Sequence, residues 1–292
     1  MYDKFYNFTA KPFALNPNPA FLYASSQHAA ALTMLDYFME SQAPFCMLTG
    51  EVGSGKTTLL RHFLRVIDDE TTVGLISNTH LQFRSIHPWA LSALGIAAKN
   101  DSEIAQYEAL VDFFIQQYSM GRRTLLVVDE AHNLSPTILE ELRLLSNVNS
   151  ESDLSLQVLL VGQPELRDSL RRPELEQFAQ RVSVDFHIGS LTLQDTRAYI
   201  RHRLVVAGGS PTIFDEEGTA FVHARTRGIP RLINQLCDWA LVYAFAEQRI
   251  NVDLSVLQSV LEDRKQRGAI PLFGGAASAP RVSVADLTRE HG

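Results

Sequence analysis

Eight consecutive residues, Gly50-Glu51-Val52-Gly53-Ser54-Gly55-Lys56-Thr57, match the spacing G-x-x-x-x-G-K-[ST] without a mismatch, and Thr58 follows. Glycines at these positions let backbone N–H groups turn inward around phosphate oxygens, helped by the N-terminus of the helix that follows. Lys56 would bring a positive charge to the β- and γ-phosphates of a nucleotide, and Thr57 a hydroxyl to Mg²⁺. A second constellation lies at Leu125-Leu126-Val127-Val128-Asp129-Glu130, an apolar run ending in two acids. An acid at the carboxyl end of a buried strand points into the crevice where phosphate and metal lie. Asp129 would hold Mg²⁺ through water, and Glu130 would polarise the attacking water, since phosphoryl transfer is mainly positioning and charge neutralisation.

Asp129-Glu130-Ala131-His132 also spells a DEAH box, the mark of one helicase class. Such a helicase needs two tandem nucleotide-binding domains, and 292 residues leave room for one large domain plus a small one. His132 is therefore expected to pack or hydrogen-bond beside the site. Three polar residues could complete it. Gln163 follows Leu159-Leu160-Val161-Gly162 and could reach between Glu130 and a γ-phosphate. Arg181, before another apolar run, could project into a neighbouring subunit's site, with Arg167, Arg171 and Arg172 as competitors for that role. Arg231, in Gly228-Ile229-Pro230-Arg231, opens a helix and could fold back onto the γ-phosphate, coupling nucleotide state to the angle between domains.

These residues need a scaffold of alternating strands and helices. Strands are expected at Phe45–Leu48, Val73–Ser77, Thr124–Val128, Leu156–Val161 and Val182–Ile188, all too continuously apolar to have a wet face. That pattern gives an α/β fold, a five-stranded parallel sheet flanked by helices. Helices are expected near 29–40, 57–66, 103–118 and after Ser135, a good N-cap with Pro136 behind it. After Leu191 the pattern is helical only, near 193–206, 215–226, 230–247 and 253–265, which makes a small helical lid. The expected units are 1–190 (nucleotide-binding, with an aromatic opening segment), 191–267 (lid) and 268–292, a Gly/Ala/Ser-rich tail expected to be disordered. The opening segment, with Phe5, Phe8, Phe13, Phe21 and Tyr23, has too many aromatics to stay solvated.

Composition narrows the classes further. Hydrophobic residues make up 46% and charged residues 20% of the chain, as in a core-forming globular protein. The net charge of −7 (26 basic against 33 acidic residues) does not suit attachment to nucleic acid by bulk charge. Cys46 and Cys237 fit neither metal nor disulfide spacing, which suits a reducing compartment. With no apolar run of about 18 residues and no signal-peptide layout, the expectation is a cytoplasmic chain without a transmembrane segment.

Taken together, the motifs resemble an AAA+ ATPase, and more closely the ExeA/GspA family of the general secretion pathway. The resemblance covers about residues 1–266. It rests on Phe5-Tyr6, Pro12-Phe13, Pro17-Asn18-Pro19, Phe21-Leu22-Tyr23, Ser26 and His28 and on Gly50–Thr58 and Asp129–His132. It rests further on Leu160–Leu166, Gln180-Arg181, Gly228–Arg231 and Asn234. The resemblance implies that Gln163 is sensor 1, Arg181 a trans-acting finger and Arg231 sensor 2, with the aromatic segment flanking the adenine of ATP. It implies a homo-oligomer that hydrolyses Mg-ATP to assemble a secretion or envelope complex with protein partners, at the inner face of the membrane.

Asn18 stands where the family commonly has an acid, and family members typically continue into a membrane span and a peptidoglycan-binding domain. The chain is then either a cytoplasmic fragment or a stand-alone relative. The similar TniB/MuB-like ATPases, which form ATP-dependent filaments on double-stranded DNA in transposition, supply the alternative reading. Arg197, Arg201, Arg203, Arg225 and Arg227 would be its phosphate contacts, unless they form only a solvated face.

Overall fold

A computed structural model describes residues 1–16, 18–77, 84–98, 100–147 and 156–266. Pro17 and the expected tail at 268–292 lie outside the described residues. Five strands, β1 (Phe45–Gly50), β2 (Thr71–Ile76), β3 (Arg123–Val128), β4 (Gln157–Gly162) and β5 (Val182–Ile188), form one sheet in the order β2-β3-β4-β1-β5. Every pairing is parallel. Each strand begins and ends within about two residues of its expected position.

The continuous apolar runs of β1, β3 and β4 are explained by cover on both faces. The edge strands β2 and β5, expected to be equally dry, expose Leu75, Ser183 and Asp185 because each has a neighbour on one side only. Side chains alternate across a strand, so Phe45, Met47, Leu126, Val128, Val158 and Leu160 share one core while Cys46, Leu48, Leu125, Val127, Leu159 and Val161 share another. The first core is closed by α3 (His87–Leu94), α4 (Glu103–Ser119), α5 (Pro136–Leu145), α6 (Glu165–Leu170) and α7 (Glu176–Ala179). The second is closed by α1 (Ser26–Glu40) and α2 (Lys56–Val66). Helices α3, α6 and α7 were not expected from sequence. They are short, of 8, 6 and 4 residues, and too brief to show a helical period.

The helical layer comprises α8 (Leu193–Val206), α9 (Glu216–Thr226), α10 (Pro230–Ala246) and α11 (Leu254–Gln266), all where expected. The opening aromatics, grouped by sequence with the sheet, are buried in this layer's core: Tyr2, Tyr6, Phe8, Phe13 and Phe21 pack with Ile200, Leu204, Leu236 and Leu257. The central strands are already covered on both faces, so the helical layer is where apolar surface remains to be buried. Polar ties fix the register there. Tyr2 Oη donates to Asp238, Tyr6 Oη to the Arg249 carbonyl (2.9 Å), and the Thr9 N–H to the Ala207 carbonyl (2.8 Å).

Gly228, between α9 and α10, joins the helical layer to the segment leaving β5. Its φ is +71°, and a Cβ built there would lie 2.0 Å from the Leu191 carbonyl oxygen. Gly228→Ala should therefore lower stability by about 1–3 kcal/mol from backbone strain alone, with the clash adding to it. Urea unfolding followed by circular dichroism measures this loss.

Candidate active site

The strand order brings the chemistry together. Strands β3, β4 and β1 are neighbours, so the residues beyond their carboxyl ends (Asp129 and Glu130, Gln163, and the glycine loop after Gly50) converge on one crevice. The loop runs from β1 into α2 with Gly53 and Gly55 at φ +82° and +105°, a region closed to most L side chains. Close packing adds a second reason for glycine: a Cβ on Gly53 would lie 2.4 Å from Arg231 Cβ, and one on Gly55 2.9 Å from His28 Nε2. The Lys56 ammonium donates to the carbonyls of Gly50 (2.6 Å) and Glu51 (2.9 Å), folded back over the loop it is expected to serve. Burial holds its pKa below the ordinary lysine value, against the opposing pull of Glu130, Asp129, Glu51 and Glu165. The Ser54 hydroxyl is buried without a hydrogen-bond partner among the described residues, a polar group that a ligand or water could satisfy.

Asp129 is only 9% exposed. Burial raises its carboxyl pKa, partly offset by the Glu130 N–H that donates to Oδ1 (2.9 Å). Its own N–H donates to the Ile76 carbonyl at the end of β2, 2.8 Å away. Glu130 adopts a left-handed backbone, φ 54° and ψ 36°, sparsely populated by non-glycine residues and frequent where function dictates conformation. Its carboxylate lines the cleft together with Gln163, Val52, Gly53, Gly55, Lys56, Thr57 and Thr58. His132 hydrogen-bonds beside the site, as expected, contacting both Glu130 (Nδ1 to Oε2, 3.4 Å) and Gln163 (Nε2 to Nε2, 2.8 Å).

The helical layer forms the opposite wall. The Arg231 N–H donates to the Gly53 carbonyl (3.2 Å), so the first turn of α10 rests directly on the phosphate loop. Pro230, Arg231 and Asn234 line the cleft, joined by Asn18, Phe21, Leu22 and Tyr23 from the opening segment. Arg181 is not part of this cleft. It precedes β5 and donates to the Ser146 hydroxyl (3.0 Å) beyond the end of α5.

Three residues were not anticipated in these positions. His28, on α1, braces the loop from behind. Its Nε2–H donates to the Ser54 carbonyl (3.2 Å), and Nδ1 accepts from the Ser25 hydroxyl (2.7 Å). Tyr199 and Arg203, one turn apart on α8, line the cleft. Arg203, grouped in the sequence with arginines for DNA phosphates or a solvated face, is 8% exposed. It is committed to the Pro12 carbonyl (2.6 Å), the Ala14 carbonyl (3.2 Å) and Tyr199 Oη (3.0 Å), with its guanidinium over the Phe21 ring. The i,i+4 spacing of Tyr199 and Arg203 was visible; their partners, from Pro12 to Phe21, are too distant in sequence to infer.

Burial depresses the His28 pKa, opposed by its bond to Ser54 and by Asp195. A base whose folded pKa lies below its unfolded value of about 6.5 contributes stability above that pH, and loses it as pH falls through the folded value. His28→Gln keeps a donor for the Ser54 carbonyl but cannot titrate. The variant should therefore show a shallower loss of stability than wild type between pH 7.5 and 5, in thermal melts at matched ionic strength.

A family described as AAA domain matches residues 39–170, from the end of α1 through the phosphate loop and Asp129-Glu130 to α6. The chain belongs to the AAA+ ATPases. It is 40% identical over 247 residues to General secretion pathway protein A of Aeromonas hydrophila, an alignment covering 84% of this chain and 45% of that protein. The chain thus spans less than half the length of this relative.

Solved structures of similar fold include the Aeropyrum pernix ORC2 protein in its ADPNP-ADP complexes. It has a TM-score of 0.66 and 16% identity, with 88% of this chain and 72% of that one covered. Cdc6p from Pyrobaculum aerophilum matches with a TM-score of 0.63 and 17% identity, over 84% and 70% of the two chains. The Thermotoga maritima RuvB Holliday junction branch migration motor matches with a TM-score of 0.53 and 16% identity, over 82% and 69%. At these identities the likeness is one of fold.

Proposed function

We propose that the chain binds and hydrolyses Mg-ATP between the sheet and the helical layer, and works as a homo-oligomer to drive assembly of a secretion or envelope complex. The observation that carries the catalytic half is the convergence on one cleft of the phosphate loop, Glu130, Gln163 and Arg231. The biological half rests on the similarity to General secretion pathway protein A. In this reading the chain acts at the cytoplasmic face of a membrane through protein partners; no helix among the described residues is long and apolar enough to cross a membrane.

In this reading Gly50–Thr58 wraps the triphosphate with backbone N–H groups, and Lys56 exchanges the Gly50 and Glu51 carbonyls for β- and γ-phosphate oxygens. The Thr57 hydroxyl and the buried Asp129 carboxylate are hard oxygen donors of the kind Mg²⁺ takes alongside phosphate and water. The metal would supply charge neutralisation at the β- and γ-oxygens. Glu130 orients the water that attacks the γ-phosphorus as the bond to the bridging oxygen breaks and ADP leaves. Gln163 and Arg231 contact the γ-phosphate from the β4 end and from α10. Arg181 acts on the site of the adjacent subunit. The division near residue 190 is then the hinge between the two walls.

The mass of Glu130→Gln protein, measured with ATP and with or without double-stranded DNA, tests the assembly half. A discrete ring formed equally well without DNA supports the secretion-type role. Long complexes that grow only with ATP and DNA together would replace it with the transposition-type role. Mixing Arg181→Ala with Glu130→Gln subunits should restore part of the activity that each lacks alone. Folded, assembled mixtures with no recovery would remove Arg181 from the shared site.

A further inference from the structure

His132 takes no part in the chemistry proposed above, yet its ring joins two groups that do. The imidazole spans from the loop after β3 to the tip of β4. Its Nε2 lies 2.8 Å from Gln163 Nε2 and its Nδ1 3.4 Å from Glu130 Oε2. The side chain is 14% exposed, well screened from water. Its backbone is also fixed. Ala131–Asn133 form a single 3₁₀ turn, with the Asn133 N–H donating to the Glu130 carbonyl (3.0 Å). Gly162, at the end of β4, packs so closely that an added Cβ would sit 3.2 Å from the His132 nitrogen. The ring is held from both sides rather than draped over the site.

The partners constrain the ring's protons. With the Gln163 amide nitrogen donating to Nε2, the neutral ring carries its proton on Nδ1, 3.4 Å from Glu130 Oε2. The backbone N–H of Gln163 also approaches Nδ1, at 3.4 Å, and cannot share the atom with a proton pointing at Glu130. A charge-assisted bond to a carboxylate outweighs one between neutral groups, so Nδ1–H facing Glu130 is the favoured tautomer.

We propose that His132 is a positioning residue that ties the Gln163 amide to the Glu130 carboxylate, so that nucleotide contact at Gln163 is transmitted to the group that orients the water. The proposal rests on the ATPase reading above. His132 touches neither nucleotide nor water, so its loss should appear in kcat and not in KM. His132→Ala is expected to lower kcat on the order of 10- to 100-fold, the size of loss typical when a group that orients a working side chain is removed, with KM for ATP within about twofold. His132→Asn, whose amide can replace the Nδ1 donor, should recover part of that loss. Because the two side chains act as one unit, His132→Ala combined with Gln163→Ala should cost little more than the worse single change.

The test combines steady-state kinetics of these variants with ¹⁵N spectra of the imidazoles in the nucleotide-free full chain, His132 being assigned by the signal missing in His132→Asn. An Nδ1-protonated ring whose signals move in both Glu130→Gln and Gln163→Ala is the expected spectrum. The proposal is overturned by a His132→Ala kcat within twofold of wild type, by additive losses in the double variant, or by an Nε2-protonated ring indifferent to both neighbours. Each of these leaves the ATPase reading standing. Wild-type protein that fails to turn over ATP would instead remove both together.

Discussion

Lys56→Ala protein is expected to lose ATP binding, with affinity at least on the order of 100-fold weaker than wild type. The ammonium would make charge-assisted hydrogen bonds to two phosphates, each worth about 1.5–3 kcal/mol, and about 1.4 kcal/mol is a factor of ten in affinity. Among the described residues the same ammonium donates to the Gly50 and Glu51 carbonyls of its own loop. Alanine there removes the charge without leaving a charged partner stranded in the loop, so the fold should persist. Titration with a fluorescent ATP analogue, beside a circular dichroism check of folding, reads the loss. Unchanged affinity in folded Lys56→Ala protein would mean that the triphosphate lies elsewhere.

Glu130→Gln should separate binding from turnover. The amide matches the carboxylate in size and can still accept from His132, so the left-handed turn at φ 54° and ψ 36° should be kept at similar strain. What disappears is the negative charge that draws a proton from the attacking water. Loss of such a group costs about 10²- to 10⁴-fold in rate, while ATP affinity should stay within a few-fold of wild type. Phosphate release under saturating Mg-ATP measures this. Wild-type turnover in the variant would show that a different residue handles the water.

The parts of the molecule readable from sequence are those governed by local pattern. The central strands β1, β3 and β4 were legible because burial on both faces demands unbroken apolar runs such as Leu125–Val128 and Val158–Val161, whereas the edge strand β5 breaks its run with Ser183, Asp185 and His187. The glycine loop was legible because its backbone conformation admits few residues but glycine. Asp129, Glu130 and Gln163 could be placed from their position just beyond strand ends.

Contacts between distant segments were less accessible. His28 reaches the loop carbonyl of Ser54 from a helix preceding β1, and a single histidine on an amphipathic helix carries no sign of such a task. Arg203 looked like any surface arginine of α8, because the carbonyls that neutralise its exposure belong to Pro12 and Ala14. The opening aromatics announced burial but not which core would receive them, since that depended on how fully α1–α7 cover the sheet. Arg181 shows the same limit at the level of assembly: its Ser146 contact lies away from the cleft, and its role depends on a surface that a second subunit would supply.

The most direct test of the account is ATP turnover by wild-type protein with Mg²⁺, repeated with the metal chelated and with Glu130→Gln protein. Turnover in the first sample, none in the second, and bound but uncleaved ATP in the third is the predicted result. Equal phosphate release in all three, or no ATP bound in any, would contradict the assignment of this cleft as a Mg-ATP hydrolysing site.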